Sequence, residues 1–298
     1  MNTVGTLQTD MNISAIDIGS NSVRHALIAD GKTLYKHLET TRLGEGLALT
    51  GKIAPQAIER TAQAVKRFVA EAKAENSTQV YIFATAAVRS SENRQEFLER
   101  VKQLCGADID VVSGQEEARL GIIGALKGKD GGIIDVGGAS TEVTCQRGGK
   151  SMYSYSANIG TVRMHELAGR DIEKLTEVIV HKIPEYGNFD ASSFDMYAIG
   201  GTATTLASVK HKLKVYDPKI TDGTVLTAEE IFKMAQHMLE LTVEQCRNLT
   251  GMEPLRADVI GGGCLLTYYV MKHFNVEKIT VSESDNLEGY VMLKRGKL

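Results

Sequence analysis

Ile16-Asp17-Ile18-Gly19-Ser20-Asn21-Ser22 and Ile134-Asp135-Val136-Gly137-Gly138-Ala139-Ser140-Thr141 are one pattern written twice. Each is an apolar run, an Asp, another apolar residue, and a small-residue turn leading into a second β-like stretch. An Asp ending a buried strand beside a Gly/Ser turn puts backbone N–H groups and hydroxyls where a phosphate can meet them, with the carboxylate facing a metal. Two such turns can clamp one phosphate chain from both sides. A third turn, Ile199-Gly200-Gly201-Thr202-Ala203-Thr204-Thr205, runs into a helical pattern through Leu206 and Val209 and offers a helix N-terminus to an anion.

Around the first turn, residues 12–18, 23–29 and 33–39 read as an antiparallel meander, joined at 19–22 and at Asp30-Gly31. Ile58, Ala62, Val65, Val69 and Ala72 keep helical spacing over 55–73, with Pro55 suited to a first turn. A short strand at 80–84, a helix over 92–104, a strand at 109–112 and a helix over 113–126 follow. Three strands, helix, strand, helix, strand, helix is the element order of a ribonuclease-H-like domain. Residues 127–132, rich in Gly and Lys, read as a hinge, after which the order restarts with strands at 132–136, 141–146 and 151–156, a helix over 172–183 and a strand at 196–199. A long apolar helix over 254–274, a strand at 278–281 and a helix from about 287 finish the chain. The expectation is an α/β protein with two ribonuclease-H-like domains, 12–127 and 128–286, a cleft between them, and the last helix (287–298) packed back on the first. Residues 1–11 read as a disordered extension, with Met11 an alternative start.

With 298 residues and 43% hydrophobic content, the chain can build two substantial cores. A net charge of −3, from 34 Lys and Arg against 37 Asp and Glu, gives no global field to recruit nucleic acid or an anionic membrane, so any polyanion is bound locally. Cys105, Cys145, Cys246 and Cys264 are far apart and form no Cys-x-x-Cys pair, which argues against a zinc site or disulfide framework and for a reducing compartment. No leader pattern or membrane-length apolar stretch is present, and a cytoplasmic protein is expected. The seven histidines show no metal-ligand spacing, and His25, His165 and the others read as structural or surface residues.

The chain resembles the exopolyphosphatase and guanosine pentaphosphate phosphohydrolase (Ppx/GppA) family of the actin, sugar-kinase and heat-shock ATPase superfamily. The resemblance runs from Asn12 onward and rests on six motifs in the family's order. They are Asp17-Ile18-Gly19-Ser20-Asn21-Ser22, Arg42-Leu43-Gly44-Glu45-Gly46, Thr85-Ala86-Ala87-Val88-Arg89, Ser113-Gly114-Gln115-Glu116-Glu117-Ala118-Arg119, the Asp135 turn and Gly200-Gly201-Thr202. It implies magnesium-dependent hydrolysis, with manganese as a substitute, of a terminal phosphoanhydride of inorganic polyphosphate or guanosine pentaphosphate. By motif position, Glu117 corresponds to the catalytic base, and Asp135 and Glu142 to essential carboxylates. Asp17 and Asp135 correspond to metal contacts. The expected phosphate contacts are Ser20, Asn21, Ser22, Arg89, Gly137, Gly138, Ser140, Thr141, Gly200, Gly201 and Thr202. This chain departs from the family pattern at Ala139, where a third glycine is usual, and at Asp285 and Leu287.

Several assignments have structural competitors. Glu116 and Glu117 could both be the acidic first turn of a helix. Adjacent helical residues point about 100° apart, so only one can face the cleft, and the resemblance selects Glu117. Arg24 alternates with apolar residues on a strand and reaches either the cleft or an exposed face. Two other functions compete with hydrolysis: an alarmone or polyphosphate sensor that only binds, kept open by Ala139, and a superfamily kinase. With about ten residues past Gly289, the additional C-terminal helical module of some family members is not expected. With only short basic runs such as 210–214, few phosphates are expected to be held beyond the cleft, unless a homodimer completes a longer track.

Overall fold

The computed structural model describes residues 12–296, so the expected extension at 1–11 and the last two residues lie outside the described residues. The first half contains β1 (Ile13–Ile18), β2 (Ser22–Ala29), β3 (Lys32–Thr40), α1 (Leu47–Thr50), α2 (Pro55–Ala74), β4 (Gln79–Ala84), α3 (Ala86–Ser90), α4 (Arg94–Cys105), β5 (Asp110–Val111) and α5 (Gly114–Leu126). Next come β6 (Gly131–Val136), β7 (Thr141–Arg147), β8 (Lys150–Ala157), α6 (Thr161–Ala168), α7 (Ile172–Lys182), β9 (Met196–Ile199), α8 (Gly200–Lys210) and α9 (Pro218–Thr221). The chain finishes with β10 (Val225–Thr227), α10 (Ala228–Glu240), α11 (Val243–Arg247), α12 (Ile260–His273), β11 (Lys278–Val281) and α13 (Asn286–Lys294).

Two mixed sheets result, ordered β3-β2-β1-β4-β5 and β10-β11-β9-β6-β7-β8. Each is built on the same arrangement: a first strand antiparallel to the second and parallel to the fourth, as β1 is to β2 and β4, and β6 to β7 and β9. This is the ribonuclease-H-like pattern, present twice, with β10 added at the edge of the second sheet. The expected helix over 254–274 is shorter. Pro254–Arg256 is a 3₁₀ turn and α12 begins only at Ile260. Arg42 takes the Leu255 carbonyl at 3.1 Å and Arg170 takes that of Ala257 at 2.7 Å, which diverts two acceptors that a continuous helix would use.

Helices α5 and α13 lie against each other between the sheets. Leu120 of α5 and Leu287, Tyr290 and Val291 of α13 share a core with Ile13, Ala15, Ala26, Ile28 and Phe83 of the first sheet. Ile122 and Leu126 on another side of α5 pack on Ile133 and Ile199 of the second. Tyr290 stacks on Phe83 and donates to Asp110 at 2.6 Å. The helices cross backbone to backbone: a Cβ on Gly124 would lie 1.9 Å from the Asp285 carbonyl oxygen, and one on Gly289 would lie 1.9 Å from that of Leu120. Among the described residues no helix is long and apolar enough to cross a membrane.

Because neither backbone can yield without separating the helices, Gly289→Ala is expected to cost about 3 kcal/mol, the upper range for overpacking. A denaturant midpoint unchanged from the parent would contradict this crossing.

Candidate active site

The two repeated turns close in the same way: Gly19 N–H donates to the Ser22 carbonyl at 3.0 Å, and Gly137 N–H to that of Ser140 at 3.0 Å. In each, the outward carbonyls are taken by a neighbouring segment. Thr41 and Arg42 N–H groups donate to Asn21 O at 3.0 and 2.8 Å, and Gly44 N–H to Ser20 O at 2.8 Å, which gives the Arg42-Leu43-Gly44 motif its structural role. At the second turn the N-terminus of α6 does the same work, with Thr161 N–H on Gly137 O at 2.9 Å and Val162 N–H on Gly138 O at 2.8 Å. With carbonyls held away, the peptide N–H groups are left for the cleft.

The turns meet. A Cβ on Gly138 would fall 2.9 Å from Ser20 Cβ and 3.3 Å from Asn21 N, so only glycine permits this approach. Gly137, Gly138 and Ala139 all have ordinary negative backbone angles, so the alanine in place of the usual third glycine imposes no strain. The third turn is the start of α8, whose first residue Gly200 has φ +80° and would drive a Cβ to 2.6 Å from Asp135 Oδ1. That helix has no side-chain N-cap, which leaves its first N–H groups available to an anion.

Asp17, Ser20, Asn21, Ser22, Glu117, Asp135, Gly137, Gly138, Ser140, Gly200, Gly201 and Thr202 thus line one chamber of about 80 Å³. Glu117 reaches it from the first turn of α5. Its neighbour Glu116 is spent on a capping box, accepting Ser113 N–H at 2.7 Å while its own N–H donates to Ser113 Oγ at 3.2 Å. The other expected site residues stand behind the chamber. Arg89 Nη1 holds Glu117 Oε2 at 2.7 Å and the Val112 carbonyl at 3.0 Å, so it orients the acid. Glu142 accepts Ser156 Oγ at 2.6 Å, and the Thr141 hydroxyl donates to Ile159 O at 2.7 Å. Thr202 lines the chamber, yet its hydroxyl is committed to Val136 O at 2.8 Å.

Asp17, Glu117, Asp135 and Glu142 are each at least 92% buried. Burial, then the charge of Glu117, raises the Asp135 carboxyl to about 7. Burial, with Glu117 and Asp135 beside it, pushes Glu142 well above the usual carboxylate range. Burial likewise raises Glu117, with Arg89 opposing. Among the described residues, Asp17 Oδ1 and Asn286 Oδ1 are buried without a hydrogen-bond partner, although Asn286 Nδ2 donates to Asp135 at 3.2 Å.

Sequence reasoning left Arg24 open and did not single out Arg256. Arg24, directly across the strand pair from Asp17, binds that carboxylate and donates to Asp285 Oδ2 at 2.5 Å. Lys36 lies 3.3 Å from the same Asp285 oxygen. Against the desolvation of burial, Arg24 and Lys36 bring the Asp285 carboxyl down to about 2, so the departure from the family pattern at 285 is matched by two cations. Leu287 is core. Among the described residues Arg256 has no salt-bridged carboxylate, and its guanidinium lies over Gly201, where a Cβ would come within 2.1 Å of Nη2. Burial and the charge of Arg24 lower it to about 10. Its position inside an expected helix gave no hint of this. Arg24, Gly200, Gly201 and Arg256 also border a larger groove of about 820 Å³ into which the chamber opens.

A profile of the Ppx/GppA phosphatase family matches residues 22–295. The chain belongs to this family. Exopolyphosphatase 2 of Mycobacterium tuberculosis is 30% identical over 321 residues, covering 95% of this chain and 98% of that protein. A bifunctional 3-dehydroquinate synthase/phosphatase of Fusobacterium nucleatum is 29% identical over 94% of this chain, which spans only 46% of that longer protein. The crystal structure of the Aquifex aeolicus family member superimposes with a TM-score of 0.76 at 29% identity, covering 96% of this chain and 98% of that one. For this Ppx/GppA protein the acidic cluster has a measurable consequence. A carboxyl whose folded-state value is raised stabilises the fold at low pH, and that stabilisation disappears as pH climbs through the folded value. In metal-free buffer, stability attributable to Asp135 is therefore lost between about pH 4 and about pH 7. Asp135→Asn is expected to melt above the parent at pH 8 in chelator, with the gap closing at pH 4. A parent that melts higher at pH 8 would contradict the repulsion.

Proposed function

We propose that this protein releases terminal orthophosphate from inorganic polyphosphate or guanosine pentaphosphate by in-line attack of water. The observation that carries this reading is the convergence of Glu117, Asp135 and both phosphate-type turns on one chamber. Its volume of about 80 Å³ is roughly five times what one water requires, which suits a terminal phosphoryl group with its attacking water. The N–H groups of the two turns and of the α8 start receive the phosphoryl oxygens. Glu117, anchored by Arg89, orients the water and accepts its proton. Arg256, with no carboxylate of its own among the described residues, meets the phosphate next to the one removed. Phosphoryl transfer has a loose transition state, so positioning and charge neutralisation are the protein's main contributions.

The donor set fits the magnesium or manganese implied by the family. Asp17 and Asp135 offer hard carboxylate oxygens, one of them, Asp17 Oδ1, buried and unsatisfied, and the repulsion within the cluster calls for a cation. When bound there, such an ion supplies charge neutralisation for the phosphate oxygens. Glu117→Gln is expected to lower turnover by roughly two to four orders of magnitude, while Glu116→Gln stays near the parent. Chelator should abolish phosphate release, and magnesium or manganese restore it. Equal losses in the two Glu variants, or full activity in chelator, would remove the assignment.

The groove beyond the chamber carries Lys36, Lys214 and Arg256 beside Leu213, Tyr216 and Met252. This mixture suits a short phosphate chain or a small phosphorylated nucleotide better than a long polymer, whose retention needs many cations acting together. Phosphate release compared side by side on short polyphosphate, long polyphosphate and guanosine pentaphosphate should favour one of the two small substrates. Long polyphosphate should shrink on a gel through a ladder of intermediates. Its disappearance without intermediates, with substrate in excess, would show a long basic track.

A further inference from the structure

On the face of the first sheet turned toward α2, away from the chamber, three side chains converge that sequence spacing conceals. His25 of β2 and His37 of β3 are direct cross-strand partners. Glu71 of α2 lies between them, with Oε2 3.1 Å from His25 Nδ1 and Oε1 2.5 Å from His37 Nδ1. In sequence they are 46 and 34 residues from Glu71, so no linear motif reports them. The ligand atoms of all three lie within 4.8 Å of one another, the one such group of three or more among the described residues.

We propose that His25, His37 and Glu71 form a binding site for a borderline divalent transition-metal ion, zinc in the first instance. Two imidazole nitrogens and a carboxylate oxygen are a zinc-type donor set, and imidazoles discriminate against magnesium and calcium. Tetrahedral coordination at about 2.0–2.1 Å separates neighbouring ligand atoms by about 3.3 Å. The His25–Glu71 pair at 3.1 Å is already close to that spacing. The His37–Glu71 pair at 2.5 Å must open, which the half-exposed His37 can do.

The surroundings match the outer shell of a metal-binding histidine. His25 Nε2 lies 2.8 Å from Ser14 Oγ, itself 2.8 Å from Ser77 Oγ, and this chain can fix the tautomer that turns the Nδ1 lone pair toward Glu71. Tyr35 stacks on the His37 ring at 4.4 Å and meets the His25 ring edge-on at 5.8 Å, holding both planes. Its hydroxyl is buried without a hydrogen-bond partner among the described residues. An ion here would tie α2 to the β2–β3 pair directly behind Arg24, in a place separate from the carboxylates of the chamber. A carboxylate simply hydrogen-bonded to two imidazoles is the competing explanation, and it predicts no metal uptake.

The test uses the full chain with magnesium in large excess, so that the hard-ligand chamber is not competing. Cobalt(II), a spectroscopic stand-in for zinc, should be taken up as one equivalent at micromolar concentration. It should give visible absorption of the intensity of four- or five-coordinate nitrogen and oxygen ligation, displaced by zinc, and zinc should raise the melting temperature. Glu71→Gln and His37→Ala, the latter at a half-exposed position that tolerates truncation, should each weaken uptake at least about tenfold and remove the zinc-dependent melting shift. No stoichiometric uptake by the parent would overturn the proposal, as would a cobalt spectrum and affinity unchanged in both variants.

Discussion

The crossing of α5 over α13 is the contact on which the cleft depends. Two helix backbones meet at Gly124 and Gly289 with no room for a side chain, and each helix begins at the chamber. The first turn of α5 carries Glu117, and α13 opens with Asp285 as its N-cap and Asn286 at its first position. One face of the pair is core to the first sheet and the other packs on the second. Glu117 from one helix and Asn286, the partner of Asp135, from the other are therefore set by backbone contact, the least adjustable kind of packing.

Within that frame the two halves use the same hairpin for opposite electrostatic ends. Asp17 faces Arg24 across its strand pair, whereas Asp135 faces Glu142 across the equivalent pair. The first arrangement binds its carboxylate to a cation shared with Asp285. The second puts two acids side by side, which is unfavourable in any sheet and severe when buried. The repeated hairpin supplies the geometry, and the residue opposite each Asp distinguishes the two halves. The acids of the second half, with Glu117, concentrate negative charge at and behind the chamber, and Arg24 and Arg256 provide positive charge on the side it shares with the groove.

The parts legible in the sequence were those fixed locally. Both Asp turns, the six strands around them and the amphipathic α2 follow from periodicity and turn chemistry; helix geometry lets only one of Glu116 and Glu117 face the cleft, and the family resemblance selects Glu117. What sequence could not supply were contacts between distant segments. Arg256 lies in a stretch that reads as helix, and the carbonyls taken by Arg42 and Arg170 are what break it. The α6 N-terminus that holds the second turn has only Gly160 as a hint, a residue whose Cβ would strike Gly138 C at 2.6 Å. His25 and His37 become neighbours only through strand register.

The departures from the family pattern illustrate the same division between local and distant causes. Ala139 looks like a lost degree of freedom while the turn is considered alone. In the fold, the carbonyls of Gly137 and Gly138 are held by α6, and no residue of the turn needs a left-handed angle. The requirement for glycine has moved to the places where backbones approach: Gly138 against Ser20, and Gly200 against Asp135. Asp285, likewise, would be an unpaired buried acid on its own helix, but it is the carboxylate that Arg24 and Lys36 reach from the first sheet. Removing it would take a shared carboxylate from both cations, leaving Arg24 on Asp17 and Lys36 on Glu288, so the residue belongs to the packing of α13 on β2 and β3 as much as to the cleft.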